Sequence, residues 1–316
     1  MTIVALAGGV GASKLLLGLS RVFPPEDLTV IVNTGDDLEL HGLSISPDLD
    51  IVTYTLAGAV NPATGWGVRE DTFGALEWLE KYGRPAWFHL GDRDLATHIH
   101  RTALLRSGLS LSEAADSIRA ALGVKVRILP MSDQPVRTML RTSEGLLAFQ
   151  EFLVERRAEP LVQGIEFAGV VEARPAPGVI ESIERADGIV ICPSNPLISI
   201  GPILAVPGIR ESLRARRRDV LAVSPIVGGK SLKGPSDRML EQLGMEASAL
   251  AVARLYQDFA GGLLLDQQDR ELQPSIEKLD MKVAVAQTVM LSDEDKQALA
   301  QSVLAFFGTR GTSAGE

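Results

Sequence analysis

The run Thr2-Ile3-Val4-Ala5-Leu6-Ala7-Gly8-Gly9-Val10-Gly11-Ala12-Ser13-Lys14, with Leu28-Thr29-Val30-Ile31-Val32-Asn33 following it, decides the fold. Thr2–Ala7 is a continuous apolar stretch of β-type residues, the pattern of a strand buried on both faces. Glycines follow, then an apolar-periodic helix over Ala12–Val22, then a second buried-type strand at Leu28–Asn33. Two such strands joined by one helix make a β-α-β unit and imply parallel pairing. The glycines let the backbone turn sharply and present N–H groups, and the helix start adds partial positive charge. Such a loop suits an anion or a close-packed β-α turn. It is not the phosphate loop of nucleotide hydrolases, because Ser13 replaces the glycine before Lys14 and Leu15 replaces the Ser/Thr after it. Nor is it the dinucleotide fingerprint, since Lys14 stands where a third glycine belongs. A nicotinamide-dependent dehydrogenase with Asp36 on the ribose is disfavoured on that ground.

Outward from this unit the chain keeps alternating. Helices are expected at Pro47–Ala57 (with Ser46 as cap), Asp71–Lys81, Asp92–Arg106 and Ser112–Leu122 (with Ser112 as cap). From Lys125 to about Val170 short β-type runs take over: Val126–Leu129, Val136–Arg141, Leu146–Phe149 and Val162–Val170. Alternation resumes with Val179–Arg185, Gly188–Cys192, Ile209–Ala215, Val220–Ser224, Ala247–Tyr256, Leu263–Asp266, Lys282–Ala286 and a last helix Asp293–Phe307; Gly308–Glu316 reads as a frayed tail. The expectation is an α/β doubly wound, mostly parallel sheet over 1–124 and 171–316, with an inserted smaller α+β subdomain at 125–170.

Composition narrows the function classes. The 316 residues hold 46% hydrophobic and 22% charged side chains, which excludes a disordered chain. The single cysteine, Cys192, excludes a disulfide-stapled module. No apolar run approaches the roughly 18 residues that span a bilayer, and Met1–Ala7 lacks the basic start of a signal peptide, so a cytoplasmic protein without a membrane partner is expected. With 31 basic and 40 acidic residues the net charge is −9, which argues against a general nucleic-acid binder.

The charge is unevenly spread. No Lys or Arg lies between Arg21 and Arg69, a stretch with Glu26, Asp27, Asp36, Asp37, Glu39, Asp48 and Asp50. Later, Arg210, Arg214, Arg216, Arg217, Arg218, Lys230, Lys233 and Arg238 face only Glu211, Asp219 and Asp237 as acids. Together these suggest a cleft with a cation-binding and an anion-binding wall. Asp36 and Asp37 end the second strand, where an open parallel sheet lines its ligand crevice, and Asp48 and Asp50 open the next helix. These four carboxylates offer hard oxygen ligands to Mg²⁺. Asp94, Thr97, His98 and Arg101 share one face of the Asp92–Arg106 helix. The turns Met131–Arg137 and Pro193-Ser194-Asn195-Pro196 carry hydroxyl and amide groups suited to a purine or ribose. Gly65-Trp66-Gly67 is a stacking platform or a packed loop anchor.

Read in order, AGGVGASKLL, NTGDD, HGLSISPDLDIVTYTLAG, TGWGVREDTFGALE, LGDRDLATHIHRT, ILPMSDQPVRT, CPSNPLISIGPIL, VSPIVGGKSLKGP and YQDFAGGLLLD resemble the 2-phospho-L-lactate transferase family of deazaflavin coenzyme F-420 biosynthesis. The resemblance spans nearly the whole chain. It implies a Rossmann-like α/β fold, a homodimer and Mg²⁺. It also implies transfer of a phosphorylated three-carbon acid, phospholactyl or enolpyruvyl phosphate, from a guanosine-diphosphate-activated donor to the terminal ribityl hydroxyl of the deazaflavin precursor Fo, with GMP released. Under it, Asp36 and Asp37 are the catalytic carboxylates and hold the metal with Asp48 and Asp50. Asp50, Arg93, Trp66 and His98 face the deazaflavin acceptor. Gly8, Gly9, Gly11, Lys14, Ser194, Asn195 and Lys230 bind the nucleotide and its phosphates. A related regulatory branch that binds nucleotide sugars is the alternative; it is not expected to keep the segments around Asp50 and Arg93.

Overall fold

The computed structural model of the chain describes residues 1–308. Of the tail read as frayed, all but Gly308 lies outside the described residues. Seven strands form the central sheet: β1 (Ile3–Ala7), β2 (Leu28–Val32), β3 (Arg127–Pro130), β4 (Gly188–Ile191), β5 (Val220–Val223), β6 (Gly262–Asp266) and β7 (Lys282–Ala286). Their order across the sheet is β7-β6-β5-β4-β1-β2-β3, and every pair is parallel. The chain builds outward from β1 in one direction and then, at β4, in the other. The expected doubly wound α/β sheet is what forms.

The strands are apolar without alternation because helices cover both faces. Val4, Leu6, Ile31, Ile189 and Ile191 point into one core, with Val179, Ile203, Ile209 and Val252 above them. Their neighbours Ile3, Ala5, Val30 and Val190 point into the other. That second face is covered by helix α1 (Val10–Val22), by α2 (Pro47–Leu56) and by the last described helix, Asp293–Gly308. These buried apolar rows supply most of the stabilisation, at about 25 cal/mol per Å² removed from water.

Three expectations need correction. The run Val126–Leu129 does not belong to an insert: Arg127–Pro130 is the edge strand β3, in register with β2 from Thr29↔Arg127 to Val32↔Pro130. The antiparallel sheet that does stand apart comprises Arg137–Thr142, Gly145–Ala148 and Val162–Ala168. The helix expected at Ser112 is α5 (Leu111–Ala121) after α3 (Gly74–Lys81) and α4 (Asp92–Arg106), and its cap is Ser110, in a capping box with Glu113. Ser112 instead donates through its N–H and hydroxyl to Asp133 Oδ1, at 2.7 and 2.6 Å. Helix α3 starts at Gly74 rather than Asp71 because two aspartates cap one another's helices. Asp92 accepts from Gly74 N and Ala75 N at 3.1 and 2.9 Å, while Asp71 accepts from Arg93 N and Asp94 N at 2.7 and 3.1 Å.

Gly11 marks the closest approach in the sheet's crevice. A Cβ there would lie 2.3 Å from the Pro193 carbonyl oxygen, so the start of α1 rests directly on the loop after β4. Gly11→Ala is therefore expected to lower the melting temperature, and not merely ligand affinity; unchanged thermal unfolding would refute the close-packing role.

Candidate active site

The strand order reverses between β1 and β4, and the carboxyl ends of these strands face a crevice, the usual ligand position in open parallel sheets. A cavity of about 860 Å³ opens there. One half is built by the glycine loop, Ser194 and Asn195; the other by carboxylates from the loop after β2, from α2 and from α4.

In the acidic half, Asn33 at the end of β2 organises the loop. Its Oδ1 accepts from Gly35 N at 2.8 Å, and its Nδ2 donates to Asp48 Oδ2 at 2.9 Å. Asp36 is buried, and its Oδ1 has no hydrogen-bond partner. Burial, then the neighbouring Asp48 charge, raise Asp36 well above the ordinary carboxylate range. Burial likewise pushes Asp48 up to about 7. Asp37 is also pushed up to about 7 by burial, although Arg137 and a hydrogen bond from Ser46 act against the shift. Ser46 holds the N-cap position of α2 as expected, but its hydroxyl, rather than capping the helix, donates to Asp37 Oδ2 at 2.8 Å. Asp37 is thereby turned into the protein and does not line the cavity.

Next along α2, Asp50 meets α4. Arg101, 1% exposed, grips both Asp50 oxygens through NH1 and NH2. Its NH1 also lies 3.3 Å from His98 Nδ1. A guanidinium only donates, so Nδ1 is the acceptor and the imidazole proton belongs on Nε2, 3.3 Å from Asp94 Oδ1. Tyr54 donates to the same Asp94 oxygen at 2.8 Å. Ligand atoms of Asp50, Asp94 and His98 lie within 4.8 Å of one another, a possible metal-binding triad. Among the described residues it is this set, not the quartet Asp36, Asp37, Asp48 and Asp50, whose ligand atoms gather so closely. Asp50 and Asp48 point to different partners because successive even positions of a helix are about 200° apart.

The opposite half has its own pairings. Gly8 N donates to Ser194 Oγ at 3.1 Å, which ties the loops after β1 and β4 together. Asn195 Oδ1 accepts from Leu197 N at 2.9 Å, closing its turn. Lys14 Nζ donates to the Met290 carbonyl at 3.0 Å, and burial, then Lys233 and Lys296, lower its pKa. A Cβ on Gly9 would come 2.8 Å from Asp48 Oδ1, so the glycine loop and the acidic half touch at this point.

Of the residues singled out in the sequence, Gly9, Gly11, Lys14, Asp36, Asp48, Asp50, Trp66, His98, Ser194 and Asn195 line the one cavity. Gly8 backs it. Asp37, Arg93 and Lys230 lie outside its lining. Arg93 is exposed and donates to the Arg69 carbonyl at 2.8 Å. Lys230, exposed on the second strand of a short hairpin, lies 3.9 Å from Asp237 in the helix that follows. Lys230→Ala is expected to change turnover less than twofold, as for exposed ion pairs generally; a tenfold loss would put it in the site. Of the basic run only Lys233 lines the cavity, and four of its arginines are matched elsewhere. Arg210 and Arg214 pair with Asp258, Arg216 with Asp219 and Arg217 with Asp280. Asp94 and Lys233, read in the sequence only as part of a polar helix face and of the basic run, also line the cavity, as do Tyr54, Ser224 and Thr288, which sequence reasoning missed.

A doubly wound parallel sheet with a cavity at its switch point, mainly apolar in lining and carrying clustered carboxylates, defines a ligand-binding α/β protein. The family model of the 2-phospho-L-lactate transferase CofD matches residues 3–304, and the chain belongs to that family. It is 42% identical over 304 residues to a 2-phospho-L-lactate transferase of Methanosarcina mazei, covering 96% of this chain and 100% of the relative. It is 45% identical over 302 residues to one from Methanothermobacter thermautotrophicus, covering 96% and 97%. It is 44% identical over 310 residues to a phosphoenolpyruvate transferase of Streptomyces griseus, covering 96% and 98%. Among solved structures, a member of the UPF0052 family from Bacillus halodurans has the same fold, with a TM-score of 0.60 and 16% identity over 96% of this chain and 98% of that one. The family makes the chain a transferase and implies a place in coenzyme F-420 biosynthesis. No helix among the described residues is long and apolar enough to cross a membrane.

Proposed function

We propose that the protein transfers a phosphorylated three-carbon acid from a guanosine-diphosphate-activated donor to the terminal ribityl hydroxyl of the deazaflavin Fo, releasing GMP. The observation that carries this reading is the contact between the glycine loop and Asp48, which puts an anion-receptive loop against buried carboxylates inside one cavity. Phosphoryl transfer requires little covalent chemistry from a protein; it requires alignment of donor and acceptor and neutralisation of phosphate charge.

The N–H groups of the Gly9–Gly11 loop and the start of α1 receive the diphosphate. Ser194 and Asn195 flank the nucleoside. A divalent cation fits the acidic half, because Asp36 holds a buried oxygen without a partner beside the Asp48 charge. We assign Mg²⁺ to Asp36 and Asp48; when bound, it neutralises phosphoryl oxygens and acidifies the attacking hydroxyl. With the cation bound and Asp36 ionised, this carboxylate would take the hydroxyl proton. Asp50, Asp94, His98 and Tyr54, with one of the two negative charges matched by Arg101, form the polar end that receives the deazaflavin, and Trp66 supplies an aromatic face. Asp37 serves by holding Ser46 and hence the start of α2. The protein is read as a cytoplasmic homodimer on family grounds.

The deciding experiment mixes purified protein, Mg²⁺ and Fo with guanosine-diphosphate-activated phospholactate, phosphoenolpyruvate or phosphoglycerate, and weighs the deazaflavin product. A mass gain matching one donated acid, with equimolar GMP, is expected. No product from any of the three would reject the reading. The relatives' names include both phospholactate and phosphoenolpyruvate enzymes, so those two donors are tried first.

A further inference from the structure

Two loops far apart in sequence meet at the cavity wall: one holds Thr64, Trp66 and Gly67, the other Leu232, Lys233 and Gly234. Each is closed on itself. Asn61 N donates to the Gly67 carbonyl at 3.0 Å and Thr64 Oγ1 to the Trp66 carbonyl at 2.6 Å. On the other side the single proton of Ser231 Oγ lies between the Gly234 carbonyl at 2.8 Å and Asp237 Oδ1 at 2.7 Å. Lys233 Nζ joins the two units by donating to the Thr64 carbonyl at 3.0 Å.

An ammonium carries three donors, and the carbonyl takes one. Among the described residues neither Lys233 nor Lys14 forms an ion pair, and each acts on the other as a like charge. Both lysines line the same cavity beside the glycine loop. Two unpaired ammonium groups at one wall repel each other until an anion arrives.

We propose that Lys233 is a positioning residue that couples the two substrates: it holds the donor's diphosphate with its free donors while keeping the Trp66 loop by the Thr64 carbonyl. Donor binding therefore steadies the aromatic face that the acceptor uses. This rests on the transferase reading above. The coupling is reciprocal, so the acceptor tightens donor binding by the same factor.

The test is calorimetric titration of Fo with and without saturating GDP, and of GDP with and without saturating Fo, on the full chain. In the unaltered protein each ligand is expected to tighten the other about fivefold or more. In Lys233→Met both ligands still bind, GDP more weakly, and the ratio falls to about one. Lys233→Arg restores most of the ratio. Lys233 sits on an exposed loop, so the melting temperature of both variants should match the parent. Coupling that survives in Lys233→Met, or is missing from the unaltered protein when both ligands bind, overturns the inference and leaves the transferase reading intact. Failure of the unaltered protein to bind either ligand overturns both.

Discussion

Arg101→Leu is expected to lower folding stability by about 3–5 kcal/mol, the range for breaking a buried ion pair from one side. Arg101 is among the largest fully buried side chains, and its guanidinium matches both oxygens of Asp50. Without it, the Asp50 charge stays in the interior beside Asp94 with nothing to balance it. Urea unfolding measures the loss directly, and a change below about 1 kcal/mol would mean that water reaches the pair. Replacing both partners with leucine should recover much of the loss, since an apolar pair of similar volume avoids the desolvation penalty. The same geometry complicates any reading of Asp50 variants. Asp50→Ala removes an acceptor-side contact and also strands a buried guanidinium, so its activity must be judged beside its unfolding curve.

Asp36→Asn separates chemistry from stability in the opposite sense. Transfer should fall by roughly a hundredfold or more if the carboxylate holds the cation and takes the proton. The metal-free protein should be as stable as the parent or more so, because burial and the neighbouring Asp48 both disfavour the ionised Asp36. The sign of the pH effect follows. A carboxylate whose folded pKa lies above its unfolded value keeps its proton longer when folded, so stability is lost as pH rises. For Asp48 the window runs from the ordinary 3.8 to about 7. The metal-free parent should thus lose thermal stability across that window, and Asp36→Asn or Asp48→Asn should flatten the slope. Adding Mg²⁺ at one hundred times its Kd should return about 2.7 kcal/mol to the parent and much less to either variant. A variant that melts lower without metal and responds fully to Mg²⁺ would make Asp36 a structural residue.

The central sheet was legible because each of its strands is a short unbroken apolar run with a helical pattern beside it. Val126–Leu129 was misplaced since nothing local in such a run says which sheet it joins; its partner Val30 is nearly a hundred residues earlier. The glycine loop and the acidic stretch could be read from residue type and position at strand ends. Arg101 could be placed on the Asp94 face of its helix by spacing, but its burial depends on α2 packing there, which spacing along α4 does not encode. The basic run was misread for the related reason that its acids, Asp258 and Asp280, lie on later segments. Tyr54 lies one helical turn beyond Asp50, a signal of the right period that its apolar surroundings concealed.

Strand β1 sits in the middle of the sheet, and its two neighbours reach it at very different times. Ile3 pairs with Leu28 on one side and with Gly188 on the other. At roughly 5–20 residues per second, a ribosome supplies the first partner within seconds and the second some 10–40 s after Ile3. Throughout that interval an edge of five apolar residues, and the β2 and α1 surfaces built on it, have no cover from the second half. Chains stalled before Gly188 emerges carry this open edge indefinitely, which makes the nascent first half the natural client of a holding chaperone and the place where slow translation produces aggregates.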